Sequence, residues 1–114
     1  MADIKDHIDS IRREAMTDID GNRAAELLQR LSALLGSVND QWIDAEMEYN
    51  RFYAEVARAE EKITEARAIS KASQQYEKKL RKEALMDSTK ELMNSLKYII
   101  KIKMDEARES RFQT

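Results

Sequence analysis

Asp18-Ile19-Asp20-Gly21-Asn22 is the stretch whose residue types come nearest to a metal loop. Two carboxylates one residue apart, followed by glycine, are how a helix–loop–helix calcium site presents oxygen ligands to a hard cation. The spacing rejects that chemistry. With Gly21 at the sixth loop position, the first ligand falls on Met16 and the twelfth on Leu27, and neither carries an oxygen. The stretch reads instead as a turn, in which glycine takes a left-handed conformation and Asp or Asn caps the helix that follows.

The other candidates for chemistry lack partners. His7 is the single histidine, so the Glu-x-x-His ligands of a helical-bundle di-metal site are missing, and it is expected on the surface. Two isolated glycines, Gly21 and Gly36, do not make a phosphate-binding loop. Glu60-Glu61 and Asp105-Glu106 pair carboxylates within solvated helical patterns, with no apolar pocket to raise a pKa for acid–base work. Cysteine is absent, which removes thiol nucleophiles, disulfides and thiolate metal ligands. No catalytic residue, metal or cofactor is expected.

One surface constellation stands out. Projected at about 100° per residue, Lys79, Lys90, Lys97, Lys101 and Arg108 fall within about 20° of one line, with Lys82 and Arg111 on a shoulder. Such a stripe could track a phosphate backbone without reading sequence. Against it, Glu83 interrupts the line, and Lys79–Glu83 and Lys101–Asp105 are available as i,i+4 pairs on an ordinary solvated face. Few aromatics share the stripe, although Tyr98 lies toward one flank, so the sequence lends base stacking little support.

The elements that would position these residues follow from apolar spacing. Every seventh residue from Leu28 gives Leu28, Leu35, Trp42, Tyr49, Val56 and Ile63. The interleaved set is Leu31, Val38, Ala45, Phe52, Ala59 and Ala66. All twelve are apolar or aromatic in a chain with 42% hydrophobic residues, so one continuous helical seam must bury itself on other helices. Because the register runs from Leu35 to Val38 to Trp42 without losing phase, the helix is expected to continue through Gly36, from about 22 to 69. Ile4, Ile8, Ile11, Ala15 and Ile19 predict a first helix over about 3–18, with Asp3, Asp6 and Asp9 near its positive end. The serines within 69–75 suit an N-cap and place a reversal there. A last helix over about 74–111 carries Leu80, Leu85, Met86, Leu92, Met93, Leu96, Ile99, Ile100, Met104 and Ala107. That arc is broad enough to touch two neighbours.

These readings give a single all-α domain: a long antiparallel helical hairpin, coiled-coil-like, with a short N-terminal helix packed along it. Charge agrees with the pairing. Residues 1–66 hold 8 Lys/Arg against 15 Asp/Glu, and residues 67–114 hold 12 against 7, so an acidic helix and a basic helix flank the seam. Residues 1–10 show no secretory leader, and no apolar run approaches the roughly 18 residues of a membrane span. A cytoplasmic protein without membrane contact is expected.

The turn block Asp-Ile-Asp-Gly-Asn-Arg-Ala-Ala-Glu-Leu-Leu at 18–28, the charged hairpin and Ser-Leu-Lys-Tyr-Ile-Ile at 95–100 give the chain a layout that resembles small all-helical accessory proteins of tailed bacteriophages. The resemblance implies a protein of a bacterial host's cytoplasm that acts by binding other macromolecules, and it carries no functional residue with it. The leading expectation is therefore a non-enzymatic protein whose core and self-association seam is Leu28, Leu31, Leu35, Val38, Trp42, Ala45, Tyr49, Phe52, Val56, Ala59 and Ile63, a dimer before other oligomers, that works through helix-mediated contacts with a protein partner. The alternative is a nucleic-acid-binding accessory of recombination or replication using Lys79, Lys90, Lys97, Lys101 and Arg108. A small helical chaperone or adaptor with one client is the third.

Overall fold

The computed structural model describes residues 3–112, and among them every regular element is an α-helix. These are α1 (Ile4–Ala15), α2 (Gly21–Ala59), α3 (Ile63–Lys71) and α4 (Gln74–Phe112). The two long helices pack antiparallel. The described residues form two compact units, one of residues up to Ser37 together with those from Asp87 on, the other of Val38–Met86.

In the first unit, α1 is opened by a capping box. The Asp6 N–H donates to Asp3 Oδ1 at 2.9 Å and the Asp3 N–H donates back to Asp6 Oδ2 at 3.3 Å, so two donors that lack intrahelical partners are satisfied. The helix closes at Ala15, three residues short of the expected end, where the Met16 N–H reaches Arg12 O and the Thr17 hydroxyl donates to Glu14 O. Ile8 and Ile11 are buried, together with Ala24, Leu27 and Leu31 of α2 and Leu92 and Leu96 of α4. Each large side chain among them contributes about 1.5–3 kcal/mol by leaving water.

The turn before α2 is capped by Asp20, whose Oδ1 accepts the Arg23 N–H at 2.7 Å. Gly21 is its first helical residue and has no positive φ, so the left-handed role expected of it is not used. It lies against α4 instead, where an added Cβ would stand 3.5 Å from Lys103 Cβ. Gly36 does not break α2, and nothing lies within 4 Å of where its Cβ would be.

The second unit holds the main departure. α2 ends at Ala59 rather than continuing to 69, and the chain turns through Glu60–Lys62 before α3 begins. Lys62 is extended (φ −112°, ψ 130°) and makes no side-chain cap. The Glu60-Glu61 pair therefore lies in this turn and not on a helix. Redirection lets α3 bury Ala66 and Ser70, both essentially inaccessible to water. The start of α4 falls within the stretch where the serines suit an N-cap: Ser73 Oγ accepts the Tyr76 N–H at 3.2 Å, and α4 begins at Gln74.

Candidate functional site

Of the eleven seam residues, Leu31, Val38 and Ala45 are fully buried, one turn-pair apart along α2. Leu28, Leu35, Trp42, Tyr49, Phe52 and Val56 are half-buried and form the margins of that line. Toward the start of α2 the fully covered residues are Ala24 and Leu27, so burial there runs one position ahead of the expected Leu28. The last two seam residues do not belong to it. Ala59 is exposed as the last residue of α2, and Ile63 is 66% exposed, because the turn at 60–62 interrupts the helix whose phase would have aimed it inward. Ala66 is buried, but from the separate helix α3.

Within the second unit, ring and charge contacts tie α2 to α4. Tyr49 meets Tyr53 with ring centroids 6.5 Å apart and Tyr76 at 5.2 Å, both tilted. Lys79 places its ammonium 4.9 Å from the Tyr49 ring centroid. Burial, and then the neighbouring phenols of Tyr76 and Tyr53, push the Tyr49 hydroxyl above its ordinary pKa of 10.0. Lys78 Nζ donates to Glu48 at 3.0 Å, an ion pair between the acidic and the basic helix, and Lys82 Nζ donates to the neutral Gln41 Oε1 at 2.8 Å. Trp42 Nε1 and Ser70 Oγ are buried, without hydrogen-bond partners among the described residues. A shallow recess of about 360 Å³ lies between Glu48, Arg51, Phe52 and Glu55 of α2 and Gln74, Gln75 and Lys78 of α4.

The first unit is held at its edges by ions. Arg23 engages Glu14 with both Nε and Nη2, the latter at 2.7 Å, and reaches Glu26 at 2.8 Å. That bidentate hold draws the Glu14 carboxyl below its usual range and raises the Arg23 guanidinium. Arg12 bridges Asp9 of its own helix and the Ser88 hydroxyl of α4. Lys103 Nζ donates to Asp18 Oδ1 at 3.1 Å, and this contact first, with Glu106 second to it, raises the Lys103 pKa.

The five basic candidates separate. Lys90, Lys97, Lys101 and Arg108 are exposed along the part of α4 that belongs to the first unit. Lys79 belongs to the second unit and is half-buried on the Tyr49 ring rather than paired with Glu83. Tyr98, beside Lys97 and one turn from Lys101, is 64% exposed. His7 is exposed as expected, and among the described residues no group of three His, Asp or Glu side chains is placed to hold a metal ion.

Sequence reasoning passed over the outward face of α2, where Ile43 and Met47 are exposed, and did not anticipate the exposure of Leu80 and Met104, placed on the buried arc of α4. The signal for Ile43 and Met47 is i,i+4 spacing off the heptad, which the stronger seam masks. No helix among the described residues is long and apolar enough to cross a membrane. Compared with known proteins, the chain matches no family model, no curated protein and no solved structure.

Proposed function

We propose that the chain is a non-enzymatic helical binding module that associates with itself and presents helix faces to protein partners. The observation that supports this reading is the set of large apolar side chains left in water after the hairpin has formed its core: Ile43 and Met47 on α2, Ile63 and Ile69 on α3, and Leu80 and Met104 on α4. Ile43 and Met47 stand one turn apart on one face of α2, and exposed apolar side chains grouped on a helix face mark contact surfaces more often than they serve the monomer. The reading places the protein in the cytoplasm of a bacterial host, in keeping with its phage-accessory layout. Light scattering on the full chain between about 1 and 100 µM tests it, across the range in which small interfaces dissociate. Mass that rises with concentration is expected. A strict monomer throughout ends the self-association reading.

One observation favours a second reading. Tyr98 stands exposed beside Lys97 and Lys101, which gives that part of α4 both the charge and the ring of a single-stranded nucleic-acid contact. In this reading Lys90, Lys97, Lys101 and Arg108 carry the affinity and Lys79 does not. Retention of an oligonucleotide at about 50 mM salt, falling steeply as salt rises, is the expected behaviour. Failure to bind at that salt removes it.

A further inference from the structure

The outward side of α2 in the second unit is a ridge without charge. Projected at about 100° per residue, Ile43, Met47, Asn50 and Ala54 lie within about 30° of one line, opposite the buried line of Val38 and Ala45. All four are exposed, and none carries a charge. The charges collect beside it. Asp40, Asp44, Arg51 and Arg58 all fall on the same flank, about 50–90° from the line, with acids toward the start of the helix and arginines toward its end. All four are exposed, and among the described residues none has an ion-pair partner within the chain. Glu48 and Glu55 sit further round, and Glu48 is already taken by Lys78.

We infer that this ridge receives the same ridge of a second copy, with the two α2 helices antiparallel about a two-fold axis near Met47. The inference rests on the self-association reading and names the surface that carries it. Charge decides the occupant and the direction. A two-fold axis between antiparallel helices sets each flank against the same flank of the other helix. Asp44 then opposes Arg51 of the other copy, Arg51 opposes Asp44, and Asp40 comes within an arginine's reach of Arg58. Unpaired charges of both signs are matched without any other partner. Met47 meets its own symmetry mate, and Ile43 settles between Asn50 and Ala54. A parallel pair would instead bring Asp44 toward Glu46 on the opposite flank of the other helix, acid against acid.

Sedimentation of the full chain tests the pairing, with circular dichroism confirming that each exposed-site variant keeps its helix content. Asp44→Arg and Arg51→Asp are each expected to weaken the dimer by about tenfold or more, since two like-charge contacts replace two pairs. The double variant, which restores both pairs with signs exchanged, is expected to recover it. Because the chain has no cysteine, single thiols give an independent reading. Met47→Cys is expected to form a disulfide-linked dimer under mild oxidant. Ile43→Cys is not, because antiparallel symmetry holds its two copies well beyond the roughly 7 Å that a disulfide tolerates between Cα atoms. A dimer unmoved by the charge variants overturns this surface and leaves self-association standing. Single variants that weaken without rescue in the double, or cross-linking at both positions, overturn the antiparallel arrangement. A monomer at every concentration gives the ridge to some other occupant and overturns both.

Discussion

Lys79 points its ammonium at the face of Tyr49, 4.9 Å from the ring centroid, and so spends on the α2–α4 contact a charge that helical projection assigns to the surface stripe. The half-buried pair joins the two long helices by a cation–π contact. Lys79→Ala is expected to cost about 0.5–1 kcal/mol in urea unfolding. Lys97→Ala, on an exposed side chain, is expected to cost less than about 0.5 kcal/mol.

Leu31 is fully buried and Ile63 is mostly in water, although one heptad reading assigns both to the same seam. Leu31→Ala should therefore lose about 2–5 kcal/mol through lost transfer energy and the cavity it leaves. Ile63→Ser should change stability by no more than about 0.5 kcal/mol. Equal costs in chemical denaturation would show that the turn at 60–62 does not form in solution.

Gly36 is an exposed residue inside α2 with ordinary helical backbone and open space where a Cβ would go. Gly36→Ala is expected to raise unfolding stability by about 1 kcal/mol, because alanine loses less chain entropy in a helix. A loss of stability would show that a neighbour occupies that space.

Ser70 is buried completely, and among the described residues its hydroxyl has no hydrogen-bond partner. An unpaired buried hydroxyl costs about 1–3 kcal/mol in lost hydration, so Ser70→Ala is expected to stabilise the second unit. Thermal melting followed by circular dichroism reads the change.

Glu14 sits below its ordinary pKa of 4.5 because the Arg23 guanidinium donates to its carboxylate. A folded-state value below the unfolded one means that the stabilising contribution is present above about 4.5. It is lost as pH falls through the lowered folded value. Glu14→Gln is therefore expected to melt earlier than the parent chain near neutral pH, and the gap should narrow at acidic pH, as the carboxyl is protonated through its lowered folded value. A gap that is the same at both pH values would mean that the ion pair contributes nothing.

Local sequence alone determined what periodicity and capping chemistry encode. The heptad line makes α2 a helix with a buried stripe, Asp3 and Asp6 start α1, Asp20 starts α2, and Ser73 starts α4, each through a bond spanning three residues. Acid-rich and base-rich halves likewise announced the antiparallel pair that Lys78–Glu48 realises. What only the tertiary structure decided is where α2 stops and which part of its stripe is covered. Ala59 to Lys62 holds no glycine, proline or side-chain cap, so nothing local ends the helix there; the break accompanies the burial of Ala66 and Ser70 by α3. Lys79 is the same case in miniature. A helical projection fixes the direction in which a side chain leaves the backbone, but whether water or a Tyr49 ring lies in that direction depends on a neighbour thirty residues away in the chain.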